Sequence, residues 1–350
     1  MSVVKNLRNA GWFRGHPYAY KRLFKRQWNI LRGKPFLHNC ELFFDTRCNL
    51  HCEHCSISIF QKQPEFSHGM TLDQIKRVAS ELRKLDCFTC CLVGGETLIR
   101  KDLPEIVRTF RRQAILTTLI TNGYLVTREL VEKLKKSGLF SVGVSLNGLT
   151  PETNDTFVQK AGALAKQLEA IDIALGCGMN VSIAVVPNAQ NIANGEYRQM
   201  IEFAAAKGIR VNVNYPALAG EFTGCYDELL TKEELAEVRE YFNLPHVTSD
   251  FTVMGGEYEC PAGRKRIYIL PDGSVCPCTF IHISFGNILQ EPLREIMDRI
   301  WSTKTFMSRP KVCLTGESRS FNEKYLGPVF GAEKLPLDYR DHPLHKSGEL

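Results

Sequence analysis

From residue 40 onward, short apolar runs bounded by turn formers alternate with stretches of helical periodicity, and this alternation commits the chain to consecutive βα units around a parallel sheet. "CELFFDT" (40–46) reads as the first strand and "TLDQIKRVASELRKL" (71–85) as the first long helix. "CCLVGG" (90–95), "LTTLITNG" (116–123), "FSVGVSLNG" (140–148), "NVSIAVVPN" (180–188) and "IRVNVNYPA" (209–217) supply five more strands. Helical stretches such as "TRELVEKLKKSG" and "YRQMIEFAAAKG" each close on a glycine suited to a helix C-cap. Six βα units are too few for a closed eight-unit barrel.

Past "TKEELAEVREYF" (231–242) the pattern changes. "RIYILPDGSVCPC" (266–278) reads as a hairpin turning at Pro271-Asp272-Gly273, and "PLREIMDRIW" as a helix. A boundary near Pro245 separates a barrel over 37–245 from a smaller region over 246–320. An arm over 1–36 precedes them, and an irregular tail over 321–350 follows.

A chain of 350 residues that is 44% hydrophobic can bury a sizeable core. No apolar run reaches membrane-spanning length, and residues 1–30 lack the h-region and cleavage site of a signal peptide, so the expected location is the cytoplasm. Thirteen cysteines, an odd number, then point to ligands and buried thiols rather than to a disulfide framework.

"CNLHCEHC" carries Cys48, Cys52 and Cys55 directly after the first strand, at the end where parallel α/β proteins place their chemistry. A closed zinc site needs four protein ligands, which His51, His54 or His38 could complete here. A cubane cluster held by three thiolates instead leaves one iron open, as catalysis requires.

The spacing of Cys48, Cys52 and Cys55, followed by Gly94-Gly95-Glu96 at the end of the second strand and by six βα units, resembles the radical S-adenosylmethionine (SAM) superfamily over roughly residues 38–245. One departure is His54, where the family usually has an aromatic before the last cysteine. The resemblance implies an α/β fold, a partial (βα)6 TIM-like barrel. It implies a [4Fe–4S] cluster on the three cysteines and SAM chelated to the open iron. Reductive cleavage would yield a 5′-deoxyadenosyl radical that abstracts hydrogen from substrate. It further implies that Gly94 and Gly95 contact the SAM amino group with Glu96 beside them, and that Ser145 and Asn147 lie near the SAM ribose or carboxylate.

Strand periodicity puts a small or polar set on one face. Gly143, Ser145 and Asn147 alternate with Val142, Val144 and Leu146, and Asn212 and Asn214 alternate with Val211 and Val213. The valines pack under the helices, and the polar set faces a cavity in which Asn212, Asn214 and Tyr215 lean toward substrate.

Cys260, Cys276, Cys278 and Cys313 form a second set of thiols, enough for a zinc ion or an auxiliary iron–sulfur cluster. Cys276 and Cys278 are two apart on the expected hairpin, so their side chains emerge on one side. "CPAGRKRIYILPDGSVCPC" followed by "FGNILQEPLREIM" resembles the auxiliary-cluster extension called SPASM, or its short form Twitch, through Cys260, Gly273 and Cys278. A full SPASM module has more downstream cysteines than Cys313 alone, so the resemblance implies one auxiliary [4Fe–4S] cluster in a small cysteine-rich hairpin-and-helix extension.

The net charge of +6 is concentrated in residues 1–36, which hold nine Lys and Arg and no acid; 35 basic against 38 acidic residues remain beyond, a net of −3. Within this arm Tyr20, Phe24, Trp28 and Leu31 fall at helical spacing, with Lys21, Arg22, Lys25 and Arg26 expected on the opposite face. Such a helix suits an anionic membrane surface, packing against the barrel's open side, or a contact for RNA or an acidic partner. The expected activity is radical oxidation or remodelling of a small molecule or lipid at an unactivated carbon, with a flavodoxin or ferredoxin as electron donor and no nucleic-acid partner. The alternatives are a peptide-modifying maturase and, in a different class, a zinc-stabilised binding protein. Maturases often carry an N-terminal peptide-binding module, whereas about 36 residues precede this barrel.

Overall fold

The computed structural model describes residues 22, 28, 32, 36–249, 259–348 and 350. The barrel strands are β1 (Asn39–Phe43), β2 (Thr89–Val93), β3 (Leu116–Thr121), β4 (Leu139–Ser145), β5 (Asn180–Val185), β6 (Arg210–Val213) and β7 (Val247–Ser249). The helices between them are α1 (Leu72–Lys84), α2 (Leu103–Arg112), α3 (Arg128–Ser137), α4 (Ala163–Gly176), α5 (Glu196–Lys207) and α6 (Lys232–Glu240). Local chemistry sets their ends. Thr71 and Gln74 form a reciprocal capping box on α1, and Gly138 and Gly208, both at positive φ, close α3 and α5.

All neighbouring strands run parallel in the order β7-β6-β5-β4-β3-β2-β1, and the sheet then continues past β1 into β8 (Arg266–Ile269) and β9 (Val275–Cys276). The sequence pattern predicts six strands; the sheet holds two more in parallel, β7 beside β6 and β8 beside β1. Both are short and follow irregular segments, so neither shows the βα rhythm. The hairpin at Pro271-Asp272-Gly273 forms as expected, with β8 and β9 antiparallel. The sheet stays open between its edges β7 and β9.

Side chains alternate between two environments. Leu42, Leu92, Val142, Val144, Ile183 and Val211 are fully buried beneath the helices. On the other face, register aligns Tyr268, Glu41, Cys91, Thr118, Ser141 and Asn180 across six neighbouring strands.

The tail departs from its expected irregularity. Residues 319–330 wind through consecutive short helical turns, and β11 (Leu337–Asp338) pairs with β10 (Ile283–Ser284). Buried Phe321, Tyr325, Leu326 and Val329 hold it down; Gly327 and Pro328 mask their helical spacing in the sequence.

The arm also differs. Tyr20, Lys21, Phe24, Lys25, Arg26 and Leu31 lie outside the described residues, but Arg22 and Trp28 stand opposite to their expected faces. Arg22 is buried, its guanidinium donating to the carbonyls of Ala114 and Cys87, whereas Trp28 is 56% exposed beneath Arg32. The forked donor geometry of arginine satisfies two carbonyls that precede β3 and β2, a demand that hydrophobic periodicity does not register.

The two-environment reading is checked by chemical denaturation. Ile183→Ala, beneath the helices, should cost about 2–5 kcal/mol. Ser141→Ala, facing the cavity, should stay within about 0.5 kcal/mol of the parent.

Candidate active site: two cysteine sets on one cavity

The first cysteine loop leaves β1 through Asp45, Thr46 and Arg47. The Asp45 carboxylate accepts from Arg47 at Nε (2.9 Å), Nη2 (2.6 Å) and the backbone N–H (3.0 Å). Burial alone would raise its pKa, but these bonds and the Arg100 guanidinium hold it below the usual range. The turn so formed presents its carbonyls to the end of β2: Asp45 O accepts from Gly95 N (2.9 Å) and Arg47 O from Glu96 N (2.8 Å). A Cβ on Gly95 would lie 2.1 Å from Arg47 O, and one on Gly94 would lie 2.7 Å from Asp45 O. The close approach that these glycines permit is therefore first to the chain's own backbone, although both also line the cavity.

Glu96 differs from the role the resemblance implies. Its buried carboxylate accepts from Leu98 N (2.9 Å), Thr121 Oγ1 (2.8 Å) and Asn122 N (2.7 Å), and it does not line the cavity. Burial raises its pKa against the lowering effect of those bonds. It positions Asn122, whose Nδ2 donates to Asn49 Oδ1 (2.8 Å) within the cysteine loop. Asn122 does line the cavity and was legible only as the turn former in "TNG".

Cys48, Cys52 and Cys55 stand half-buried at the cavity mouth as free thiols. Leu50 N donates to Cys48 Sγ (3.4 Å), a contact suited to a thiolate. Burial pushes all three thiols up, Cys52 to about 12, and the other two thiols of the set raise Cys52 further. The loop after β6 clamps the set from above: Glu221 N donates to Cys55 O (3.1 Å), and Gly220 passes so close that a Cβ would lie 2.0 Å from that oxygen.

The histidines do not complete a zinc site with these thiols. His51 is exposed, and His38 sits at the start of β1, away from the loop. His54 stacks on Phe157 at 4.6 Å, and burial lowers its imidazole to about 4, so it packs as a neutral ring where the family has an aromatic. Among the described residues no three His, Cys, Asp or Glu side chains close on a single metal ion. Thiols arranged around the larger body of a cluster need not converge that way.

Beneath the loop lies a cavity of about 560 Å³ lined by the inner face of the sheet. Ser145, Asn147, Asn212, Asn214 and Tyr215 all line it, as expected. Asn212 is held between Ser182 Oγ (3.2 Å) and Thr248 Oγ1 (2.7 Å). The sequence pattern missed Glu41, Arg210, Arg266 and Tyr268, which share the lining. Every residue of β8 is buried, so no alternation marks its inward side.

The second cysteine set is assembled from three loops. Cys260 N donates to Pro310 O (2.8 Å), tying it to the Cys313 loop, and Gly263 N donates to Pro277 O (2.8 Å), tying it to the Cys278 loop. Burial raises the Cys278 thiol and pushes Cys313 up to about 12, and the Cys260 thiol adds to both effects. Gly316 N donates to Cys313 Sγ (3.4 Å), and Gly316 itself packs on Tyr215, which links this loop to the cavity wall. Cys276 stands differently: β9 ends with it, Pro277 turns the chain before Cys278, and its register partner is Tyr268. Three thiols on loops tied together by backbone bonds, one of them with a backbone donor aimed at its sulfur, are of the chemistry that holds an iron–sulfur cluster. Beside them Glu259 accepts from Lys265, Arg264 (2.6 Å) and Arg309 (2.6 Å).

Known proteins match this arrangement. The profile of the Radical SAM superfamily covers residues 43–204, and that of the SPASM iron–sulfur cluster-binding domain covers residues 260–315. A Fe-coproporphyrin III synthase of Methanosarcina barkeri is 36% identical over 146 residues, 42% of this chain and 36% of that protein. The chain thus spans about a third of that relative's length. A PqqA peptide cyclase of Granulibacter bethesdensis is 26% identical over 269 residues, 71% of each protein. Among solved structures, Streptococcus suis SuiB bound to precursor peptide SuiA shares the fold, with a TM-score of 0.60, 17% identity, and coverage of 81% of this chain and 69% of that one.

Two outcomes are expected from this geometry. Gly95→Ala should displace the Asp45–Arg47 turn, costing about 1–3 kcal/mol and lowering iron incorporation on anaerobic reconstitution, with far-ultraviolet circular dichroism unchanged. Glu259→Gln should destabilise the protein at neutral pH. Although burial opposes it, bonds from Lys265 and Arg309 lower Glu259 to about 2, so its contribution is present above the unfolded value of 4.5 and fades as pH falls toward 2. Thermal melts of parent and variant should accordingly converge over that window.

Proposed function

We propose, from the premise that this chain belongs to the radical SAM superfamily and carries a SPASM iron–sulfur region, that it oxidatively modifies a peptide side chain inserted into the barrel cavity. The family's cofactors are a [4Fe–4S] cluster and SAM, with auxiliary iron–sulfur binding in the SPASM region. A cluster held by Cys48, Cys52 and Cys55 would supply the one-electron chemistry that splits bound SAM and leads to removal of a hydrogen atom from substrate. The protein's residues do the rest. Backbone donors hold the cysteine loop, Gly94, Gly95, Asn122, Ser145 and Asn147 line the space next to it, and the apolar walls exclude water.

The observation that carries the reading is one cavity, with the first cysteine set at its mouth and the second packed behind Tyr215. Its volume of about 560 Å³ lies within the range for one drug-sized ligand, yet it must take both SAM and the reacting group. That favours a side chain presented by a larger molecule over a whole small-molecule substrate. The peptide named in the cyclase relative supports the same choice. The opposing observation is the pair of inward arginines, Arg210 and Arg266, which suits a carboxylate-bearing molecule such as the porphyrin named in the other relative. A lipid substrate gains no support from the basic arm, whose Arg22 is buried against the carbonyls of Ala114 and Cys87. Flavodoxin or ferredoxin remains the proposed electron donor, because clusters of this class need a strong reductant.

Cysteine substitution separates the two sets. Under anaerobic conditions with dithionite and SAM, Cys52→Ala should lower 5′-deoxyadenosine release by more than about a hundredfold, beyond the 10–100-fold typical of losing a supporting group. Cys260→Ala or Cys313→Ala should retain SAM cleavage while losing modified peptide. Equal loss of both readouts in all three variants would remove the distinct role assigned to the second set.

A further inference from the structure

Tyr268 is fully buried at the centre of β8 and lines the cavity, yet its hydroxyl has no hydrogen-bond partner. Its ring is fixed by stacking on Phe43, with centroids 6.0 Å apart and planes within 11°. Its register neighbour on β1 is Glu41, among the described residues the one carboxylate that lines the cavity. Glu41 is itself oriented: Arg266 Nη2 lies 3.5 Å from Oε1, and the Thr279 hydroxyl donates to Oε2. Burial raises the Tyr268 phenol, and Glu41, Cys276, Cys55 and Cys278 all act on it, so this seam lies between the two cysteine sets.

We propose that Tyr268 and Glu41 form the subsite that anchors the substrate, with the phenol donating to an amide carbonyl and the carboxylate accepting from an amide N–H. The chemistry rests on complementarity. A buried phenol without a partner is a donor looking for an acceptor, and the oxygens of a carboxylate can each accept more than one hydrogen bond. Register sets the two residues side by side on neighbouring strands, about 4.8 Å apart along the sheet, so one extended substrate segment can meet both. An unpartnered buried hydroxyl destabilises the protein unless something arrives to pair with it. The inference rests on the peptide reading above and specifies which part of a peptide the cavity recognises.

The test uses full-length, anaerobically reconstituted enzyme. The probe is a pool of N-acetylated, C-amidated pentapeptides varied at the central residue, with matched depsipeptides in which the central amide N–H is replaced by an ester oxygen. Wild type should release more 5′-deoxyadenosine with the amides than with the esters. Tyr268→Phe should raise KM for the amides roughly tenfold with a smaller change in kcat, and should leave the melting midpoint of the substrate-free protein unchanged or higher, because it removes an unsatisfied group. Glu41→Leu should erase the preference for amide over ester. A lower melting midpoint in Tyr268→Phe would show that the phenol already has a protein partner and would overturn the proposal. So would an unchanged KM accompanied by a shifted electron paramagnetic resonance signal, which would assign the phenol to a cluster. If wild type responds to no pentapeptide, the peptide reading falls and takes this subsite with it, a result distinct from a responsive wild type with an indifferent Tyr268→Phe.

Discussion

The catalytic end of this molecule depends on a backbone-to-backbone contact. The turn at Asp45–Arg47 and the strand end at Gly94–Glu96 approach so closely that a side chain on Gly95 would overlap the Arg47 carbonyl. Two main-chain hydrogen bonds fix the relative height of the two segments. From there the order propagates sideways: Glu96 grips Thr121 and Asn122 at the end of β3, and Asn122 reaches back to Asn49. The ends of three parallel strands are thus joined around the loop that carries Cys48, Cys52 and Cys55. Geometry this tight suits a site where small displacements are costly to reaction.

The rest of the fold arranges the walls below that loop. Because the sheet does not close, its inner face can stay polar without an inner core, while helices bury the outer one. β8 then joins β1 instead of forming a separate layer. This carries the second cysteine set against the same cavity, with Gly316 touching Tyr215 from outside. A single sheet therefore carries the loop of the first set at one strand end and the hairpin that leads into Cys278 beside it.

Much of this was legible in the sequence, for identifiable reasons. The first six strands and α1 declare themselves because period-2 and period-3.6 patterns alternate with glycine and proline punctuation. The inner and outer faces of β4 and β6 follow from the same alternation, which is why Ser145, Asn147, Asn212 and Asn214 were found on the cavity side. β7 escaped because three residues cannot display a period, and β8, read as a hairpin strand, was not placed beside β1 because it is buried on both faces. Arg266 and Tyr268 on β8 were lost for that reason, since an inward residue is visible only against an outward neighbour. Arg22 was assigned to the wrong face because helical periodicity scores charge as exposure and does not register two carbonyls in need of donors. The protein partners of Glu96 were not legible for a related reason: a motif marks a residue as important without saying which neighbours it bonds.

Buried polar groups without partners show where this structure expects company. His54 Nδ1, Gln167 Nε2 and the Tyr268 hydroxyl are all unsatisfied, and all three residues line the same cavity. Each such group costs about 1–3 kcal/mol when left alone, a considerable burden against the 5–15 kcal/mol by which whole proteins are stable. His54 stands beside the cysteine loop and Tyr268 on the seam between the two cysteine sets. Several costly orphans around one chamber suit a filled state, although the Thr117 and Tyr197 hydroxyls, buried away from the cavity, are unsatisfied as well.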